Sequence, residues 1–399
     1  MSNTGYFQYN MRAVVHSGVG SIIRIPALLQ GLGARRVLLI SDEGLKNVGV
    51  VDRVAATFDT WQSGNMPTLA GIYTDISPDA GSSTVNACMA YAREIAADAI
   101  LAVGGGSVLD AAKGVKYGLC HQAMDINEAL QSGIKMESWP AAQHMGIPHL
   151  AVPTTAGTGA EVSAAAVIFN EETGTKNGLV APFLEADIAV LDAQLTLGLP
   201  PGLTASTGMD ALTHALEGVA SPSANPFTDG HCIIAAQLIE QNLPKAVANG
   251  QDVQARAQML TASCMAIDGY VAALSFTPVH NCAHAFGALY HIPHGDANSV
   301  FLPIVMEALI DEYVHNAERL AQALNMPASD KTGKDLMLDV IAKIRDLQQQ
   351  IGCATDLSRW NVKAEDMEQI VIAVASDPVA MFYPIPLDKI QEITLKAIG

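Results

Sequence analysis

The sequence predicts an α/β N-terminal domain built on a parallel sheet, followed by an all-α C-terminal domain. Three observations carry that expectation. Short apolar runs alternate with amphipathic segments in the first half, and the strand signal fades from about Leu203 onward. The turn LGLPPGL (197–203), with its prolines and glycines, sits where the pattern changes. The expected domains are therefore residues 1–200 and residues 201–399. A chain of 399 residues also exceeds one ordinary compact core, which favours two domains.

In chain order, VLLIS (37–41), AILAV (99–103), HLAVP (149–153) and ADIAVLD (186–192) read as buried parallel strands. Continuous apolar runs suit strands covered on both faces, and amphipathic segments between them, such as 82–97, suit crossover helices. Past the boundary, segments 211–219, 227–242, 253–273 and 317–324 carry helix-forming residues at helical spacing.

Half of the residues are hydrophobic, enough for a large core in a folded, globular chain. The formal charge of -18 and a pI near 4.9 disfavour nucleic acid or an anionic membrane as partner, because either demands a positive surface. Residues 1–5 lack the basic and apolar stretches of a secretory signal, and no segment approaches the roughly 18 apolar residues of a membrane span. A cytoplasmic location is the expectation. Six cysteines without C-x-x-C spacing argue against a disulfide framework and against a thiolate zinc site.

Two glycine-rich loops follow predicted strands. ILAVGGGSVLDAAK (100–113) runs from a strand through three glycines into a helix, so the backbone can approach a phosphate at a helix N-terminus. It is neither a P-loop nor the G-x-G-x-x-G fingerprint, and a plain tight turn is the competing reading. VPTTAGTGAEVS (152–163) places Thr154, Thr155 and Thr158 beside Gly157 and Gly159. Ligands of open α/β sheets bind at such strand ends, so the two loops together point to a nucleotide. Asp42 closes the strand VLLISD, where a carboxylate accepts from an adenosine ribose and repels a 2′-phosphate, favouring NAD over NADP. Asp42 reads equally well as a helix cap.

Asp210 and His214 are four apart in TGMDALTHALEG and share one helical face. His280, His284, His291 and His294 lie within fifteen residues, a dense cluster for a chain with eleven histidines. Thr277 and Pro278 read as the N-cap and first position of a helix carrying His280 and His284. Pro293 breaks that helix, so His294 is expected from the loop beyond. One carboxylate and three imidazoles suit Fe(II) or Zn(II) and leave room for a substrate oxygen.

With these residues in hand, the chain resembles the iron-containing (group III) alcohol dehydrogenase family. GGGSVLDAAK, PTTAGTGAEVS, LPPGLTASTGMDALTHALEG and VHNCAHAFGALYHIPHGDAN fall in that family's order and spacing, over nearly the whole chain. The resemblance implies a Rossmann-like NAD-binding domain, a helical metal-binding domain and an active site in the cleft between them. It also implies that Asp210, His214, His280 and His294 hold the metal, with His284 beside it as catalytic residue. Asp42, Gly105, Gly106, Ser107, Asp110, Thr154, Thr155 and Lys176 match positions that contact the nucleotide, and Thr158 belongs to the same loop set. His291 is expected to be structural or substrate-lining. Relatives are commonly dimers or larger homo-oligomers.

Two stretches depart from the family pattern: SFTPVH before His280, and DPVAMFYPIP near the C-terminus, where relatives carry Asn-Pro-Arg. Both lie close to the substrate in the family. The implied reaction transfers hydride between NAD(H) and a small primary alcohol/aldehyde pair, with the alkoxide stabilised at the metal and His284 in the proton relay. Competing readings are an NAD- and metal-binding lyase of the dehydroquinate synthase type, a metal-free reductase of the maleylacetate reductase branch, and a non-catalytic nucleotide-binding sensor.

Overall fold

A computed structural model describes residues 7–60, 64–130, 135–136 and 144–399. Residues 1–5, read above for a secretory signal, lie outside them. The described chain forms two compact units. The first comprises the described residues of Met11–Thr155 together with Gly159–Thr196, and the second those of Met1–Asn10 with Ala156–Thr158 and Leu197–Gly399.

The first unit is built on a six-stranded sheet: β1 (Val14–Ser17), β2 (Arg36–Ile40), β3 (Thr68–Tyr73), β4 (Ala99–Gly104), β6 (His149–Pro153) and β9 (Ile188–Leu191). The spatial order is β1-β9-β6-β4-β2-β3, and every pairing is parallel. Alternation along each strand explains why the apolar runs are continuous. Leu38, Ile40, Ile100, Ala102 and Ala151 enter one hydrophobic cluster, while Val37, Leu39, Leu101, Val103, Leu150 and Val152 enter another. Both faces of the central strands are therefore buried, as parallel sheets require. The helices α1 (Ser82–Glu94) and α2 (Gly106–Cys120) pack on the first of these faces.

From β2 the chain moves outward to β3, and from β4 it moves the other way through β6 to β9. The ends of β2 and β4 thus flank a switch point, where open sheets bind ligands. A smaller sheet holds β5 (Lys135–Met136), β7 (Ala165–Asn170) and β8 (Thr175–Val180), the last two as an antiparallel hairpin. The apolar-run reading did not find β1, β3 or the hairpin. β1 and β3 have no buried residue, and in the hairpin buried positions alternate with half-exposed or exposed ones, so none of these strands is covered on both faces like the central ones.

The second unit is helical. It contains α3 (Pro201–Ala220), α4 (Pro226–Ala248), α5 (Val253–Ala272), α6 (Pro278–Tyr290), α7 (His294–Ala308), α8 (Gly333–Ile351), α9 (Met367–Ser376) and α10 (Leu387–Ile398), with shorter turns between them. Helix α3 starts on the second proline of LGLPPGL, where a missing N–H costs nothing. It is buried along most of its length, and its residues form the centre of one continuous core. Among the described residues, no helix is long and apolar enough to cross a membrane.

Candidate metal centre and cofactor loops

Helix α3 presents Asp210 and His214 one turn apart, both buried. Thr277 and Pro278 open α6 as expected, and that helix carries His280 and His284. Thr277 does not cap the helix with its side chain, however; its hydroxyl donates to the Val379 carbonyl at 3.2 Å. The chain then turns at His291 in the left-handed region (φ 55°), and Pro293 precedes a new helix. His294 is the first residue of α7, not a loop residue as the proline suggested. A proline stops one helix and is equally at home just before the next.

Gly295 explains how α7 comes so close to α3. A Cβ at Gly295 would lie 2.4 Å from the Ser206 carbonyl oxygen, an impossible contact, so only glycine lets the start of α7 rest on α3 four residues before Asp210. His294 Nε2 consequently lies 3.3 Å from Asp210 Oδ1, and His280 Nε2 lies 3.7 Å from the same oxygen. Ligand atoms of Asp210, His280 and His294 all fall within 4.8 Å of one another, and no other such trio of metal-ligating groups occurs among the described residues.

His214 stands against this trio without belonging to it. Its ring stacks on His280 with centroids 4.4 Å apart, and its Nδ1 is buried with no hydrogen-bond partner. His280 Nε2 is also buried without a partner. Two orphaned imidazole nitrogens beside a buried carboxylate are costly unless something meets them, and a divalent cation fits that donor set. Around the trio, Asn298 on α7 donates to Asp210 Oδ1 at 2.8 Å, and the ring of Tyr270 lies 5.0 Å from His214 and 5.1 Å from His280.

Electrostatics within the protein alone follow from this packing. Burial would lift the Asp210 carboxyl, but the charges of His214 and His294 and the closeness of the His280 and His294 rings hold it well below the usual carboxylate range. Burial pushes His214 down to about 3, against the pull of Asp210. His280 goes the other way: burial would lower it, yet Glu217 and Asp210 together push it up to about 9. Asp210 is thus an anion awaiting a positive partner.

His284 is partly exposed and stands apart from the trio, its ring 5.3 Å from His294 and 6.2 Å from His280. Its Nδ1 is 3.5 Å from Asp377 Oδ1, a residue of the DPVAMFYPIP stretch. The two departing stretches meet each other: Phe276 packs edge-on against Tyr383 at 4.8 Å, in addition to the Thr277–Val379 bond.

In the α/β unit, Asp42, Gly105, Gly106, Ser107, Thr154 and Thr155 follow the carboxyl ends of β2, β4 and β6. The Thr154 amide donates to the Gly104 carbonyl at 3.0 Å, and a Cβ on Gly105 would touch the Thr155 side chain at 3.3 Å, so the two glycine-rich loops lie side by side. A Cβ on Gly104 would lie 2.5 Å from Val108 Cβ, which makes glycine obligatory in this tight strand-to-helix turn. Gly106 opens α2, whose N-cap has no side-chain hydrogen bond. Asp42 Oδ1 accepts from the Leu45 amide at 2.8 Å, so the capping reading holds for one of its oxygens.

Ser107 and Lys176 are joined through Asp79, a residue that no local motif marks in the sequence. Ser107 Oγ accepts from the Asp79 amide at 3.1 Å, and Lys176 Nζ on β8 donates to the Asp79 carboxylate at 2.8 Å. Asp110 points elsewhere: its carboxylate pairs with Lys113 at 2.9 Å and accepts from the Val167 amide at 3.0 Å, tying α2 to β7. Thr158 clusters with the helical unit, apart from Thr154 and Thr155. There Gly157 lies so close to Thr207 that a Cβ would approach its carbonyl oxygen to 2.9 Å.

Comparison with known proteins bears on both units. Residues 13–193 match iron-containing alcohol dehydrogenase, and residues 204–398 match the Fe-containing alcohol dehydrogenase family, C-terminal. The chain is similar to long-chain-alcohol dehydrogenase 1 of Geobacillus thermodenitrificans, at 32% identity over 93% of this chain and 91% of that protein. The crystal structure of a 1,3-propanediol oxidoreductase superposes with a TM-score of 0.88 at 31% identity, covering 99% of this chain and 100% of that one. Sulfoacetaldehyde reductase from Bifidobacterium kashiwanohense, solved in complex with NAD+, gives 0.83 at 26% identity over 99% of both chains.

Proposed function

The chain belongs to the iron-containing alcohol dehydrogenase family, and from that premise we propose that it is an NAD-dependent oxidoreductase interconverting a small primary alcohol and its aldehyde. The observation that carries the proposal is the convergence of Asp210, His280 and His294 on one point, with His280 Nε2 buried and unpartnered there. With His214 turning from its stack on His280, these residues hold Fe(II) or, with the same donors, Zn(II). When bound, such an ion supplies Lewis acidity at the substrate oxygen, and NAD supplies the hydride acceptor. The relatives are dehydrogenases and reductases, which does not favour the lyase reading.

The chain's own residues provide the rest. Asp210 stays ionised and compensates the cation, since its buried charge is otherwise met only by imidazoles and the Asn298 amide. His284, the more open histidine on α6, takes the substrate proton on its ring and passes it outward while Nδ1 faces Asp377. Gly105, Gly106, Ser107, Thr154 and Thr155 cradle the pyrophosphate at the start of α2, and the free Asp42 oxygen faces the ribose, which favours NAD over NADP. Lys176 and Thr158 complete the cofactor contacts, and Asp110 acts from behind, through α2. Substrate choice falls to the joined SFTPVH and DPVAMFYPIP stretches, where Phe276, Tyr383 and Asp377 replace the family's usual residues. β1, an edge strand with Val14 exposed, supports a homodimer or larger assembly.

NADH absorbance with a panel of short alcohols and aldehydes tests the proposal, on protein reconstituted with Fe(II) and separately with Zn(II), with NADPH in parallel. Turnover with NAD(H) and at least one metal is expected. Silence across the panel while NAD still binds would instead favour a sensor.

A further inference from the structure

Glu217 is buried in the middle of the helical core, and its side chain is 0% exposed. It sits on α3, three residues after His214 and seven after Asp210, on the same face of the helix. Both carboxylate oxygens are engaged. Oε1 accepts from the Val279 amide at 2.6 Å, and Oε2 accepts from Nδ1 of His280 at 2.6 Å.

Each of these bonds does something different. Val279 is the second residue of α6, and its amide is one of the N–H groups that a helix start leaves without a partner. Thr277 leaves that position uncapped because its hydroxyl is committed to Val379. Glu217 therefore fixes where α6 begins. The bond to Nδ1 fixes the ring of His280: when the neutral ring keeps its proton on Nδ1, as a metal ligand must, the only lone pair in the ring plane belongs to Nε2. That nitrogen is the one left without a partner, 3.7 Å from Asp210 Oδ1.

We propose that Glu217 is the positioning residue of the metal centre: by gripping the α6 start and Nδ1 of His280 together, it presents His280 Nε2 to a divalent cation. This rests on the metal-binding reading of Asp210, His214, His280 and His294. Because both Glu217 oxygens are already occupied, Glu217 is not itself a ligand. Helix α3 thus supplies Asp210 and His214 directly and aims His280 from the helix beside it. An acceptor on the far nitrogen also raises the basicity of the near one, a known determinant of how firmly imidazole holds metal.

The test is zinc affinity, measured by competition against a chromophoric chelator, for the wild type, Glu217→Gln and Glu217→Ala. Glu217→Gln keeps the volume but offers a single acceptor and turns an amide N–H group towards one of the two donors. Both variants are expected to bind zinc about 10- to 100-fold more weakly, with wild-type far-UV circular dichroism. If Glu217 merely caps α6, Glu217→Gln lowers the melting temperature of the metal-free protein and leaves zinc affinity unchanged, which overturns the proposal. A wild type that binds no zinc overturns the metal reading itself, a separate outcome. A measurement without mutation covers the case in which the variants do not fold. Nitrogen-15 NMR of zinc-loaded, histidine-labelled wild type is expected to show His280 protonated at Nδ1 and bound through Nε2. Binding through Nδ1 contradicts the proposal.

Discussion

The two units build their candidate sites by opposite means. In the α/β unit the turn between β4 and α2 depends on the absence of side chains, as at Gly104 and Gly105. In the helical unit the site is made of side chains, one or two each from α3, α6 and α7. Two buried carboxylates make the same contrast in charge. Asp210 in the helical unit is ringed by imidazoles and held well below the usual range, whereas burial lifts Glu161 in the α/β unit to about 7, although a backbone hydrogen bond and the Lys113 charge pull against it. A buried acid is a liability in one unit and a binding charge in the other. The partners decide which.

Breaking the side-chain site has the largest effect. Asp210→Asn removes the only carboxylate in the trio while preserving its shape, and it is expected to abolish stoichiometric metal and to lower turnover on the order of a thousandfold or more. Elemental analysis alongside the NADH assay checks both. His284→Ala separates chemistry from binding within the same unit. Turnover should fall about 100-fold with metal content intact, and loss of the metal would refute the relay role.

Glu161→Gln probes the other carboxylate. The folded-state pKa, about 7, lies above the ordinary value of 4.5, so the folded protein binds more protons and loses stability as pH rises between these values. The cost is complete above pH 7 and amounts to about 3 kcal/mol at most. Glu161→Gln removes it, so urea midpoints of wild type and variant should differ at pH 8, with the variant more stable, and converge near pH 4.

The glycine pair gives the smallest effects and the sharpest comparison. Gly295→Ala forces α7 away from the Ser206 carbonyl and should weaken metal binding about tenfold while NAD binding is unchanged. Gly104→Ala, pressed against Val108, should weaken NAD binding by a similar factor with metal affinity unchanged. Titrations of each variant with zinc and with NAD separate the two.

The same contrast explains what could be read without coordinates. Glycine loops following strands, and paired histidines at helical spacing, are local patterns, and the central strands announce themselves because both their faces are buried. Partners distant in sequence leave no such trace. Glu217 meets His280 across 63 residues, Asn298 meets Asp210 across 88, and Lys176 meets Asp79 across 97. One local signal did exist for Glu217: besides Asp210 it is the only acid on that helix, and it lies on the Asp210–His214 face. The helical start of His294 was hidden for another reason, since Pro293 marks both the end of one segment and the beginning of the next.

Anomalous diffraction from crystals of the zinc-reconstituted protein, recorded at the zinc edge, tests the central claim most directly. One strong peak per chain is expected, bounded by Asp210, His280 and His294, with His214 turned from its stack on His280 to complete the set. A peak elsewhere in the molecule, or one that His280 does not touch, would contradict it.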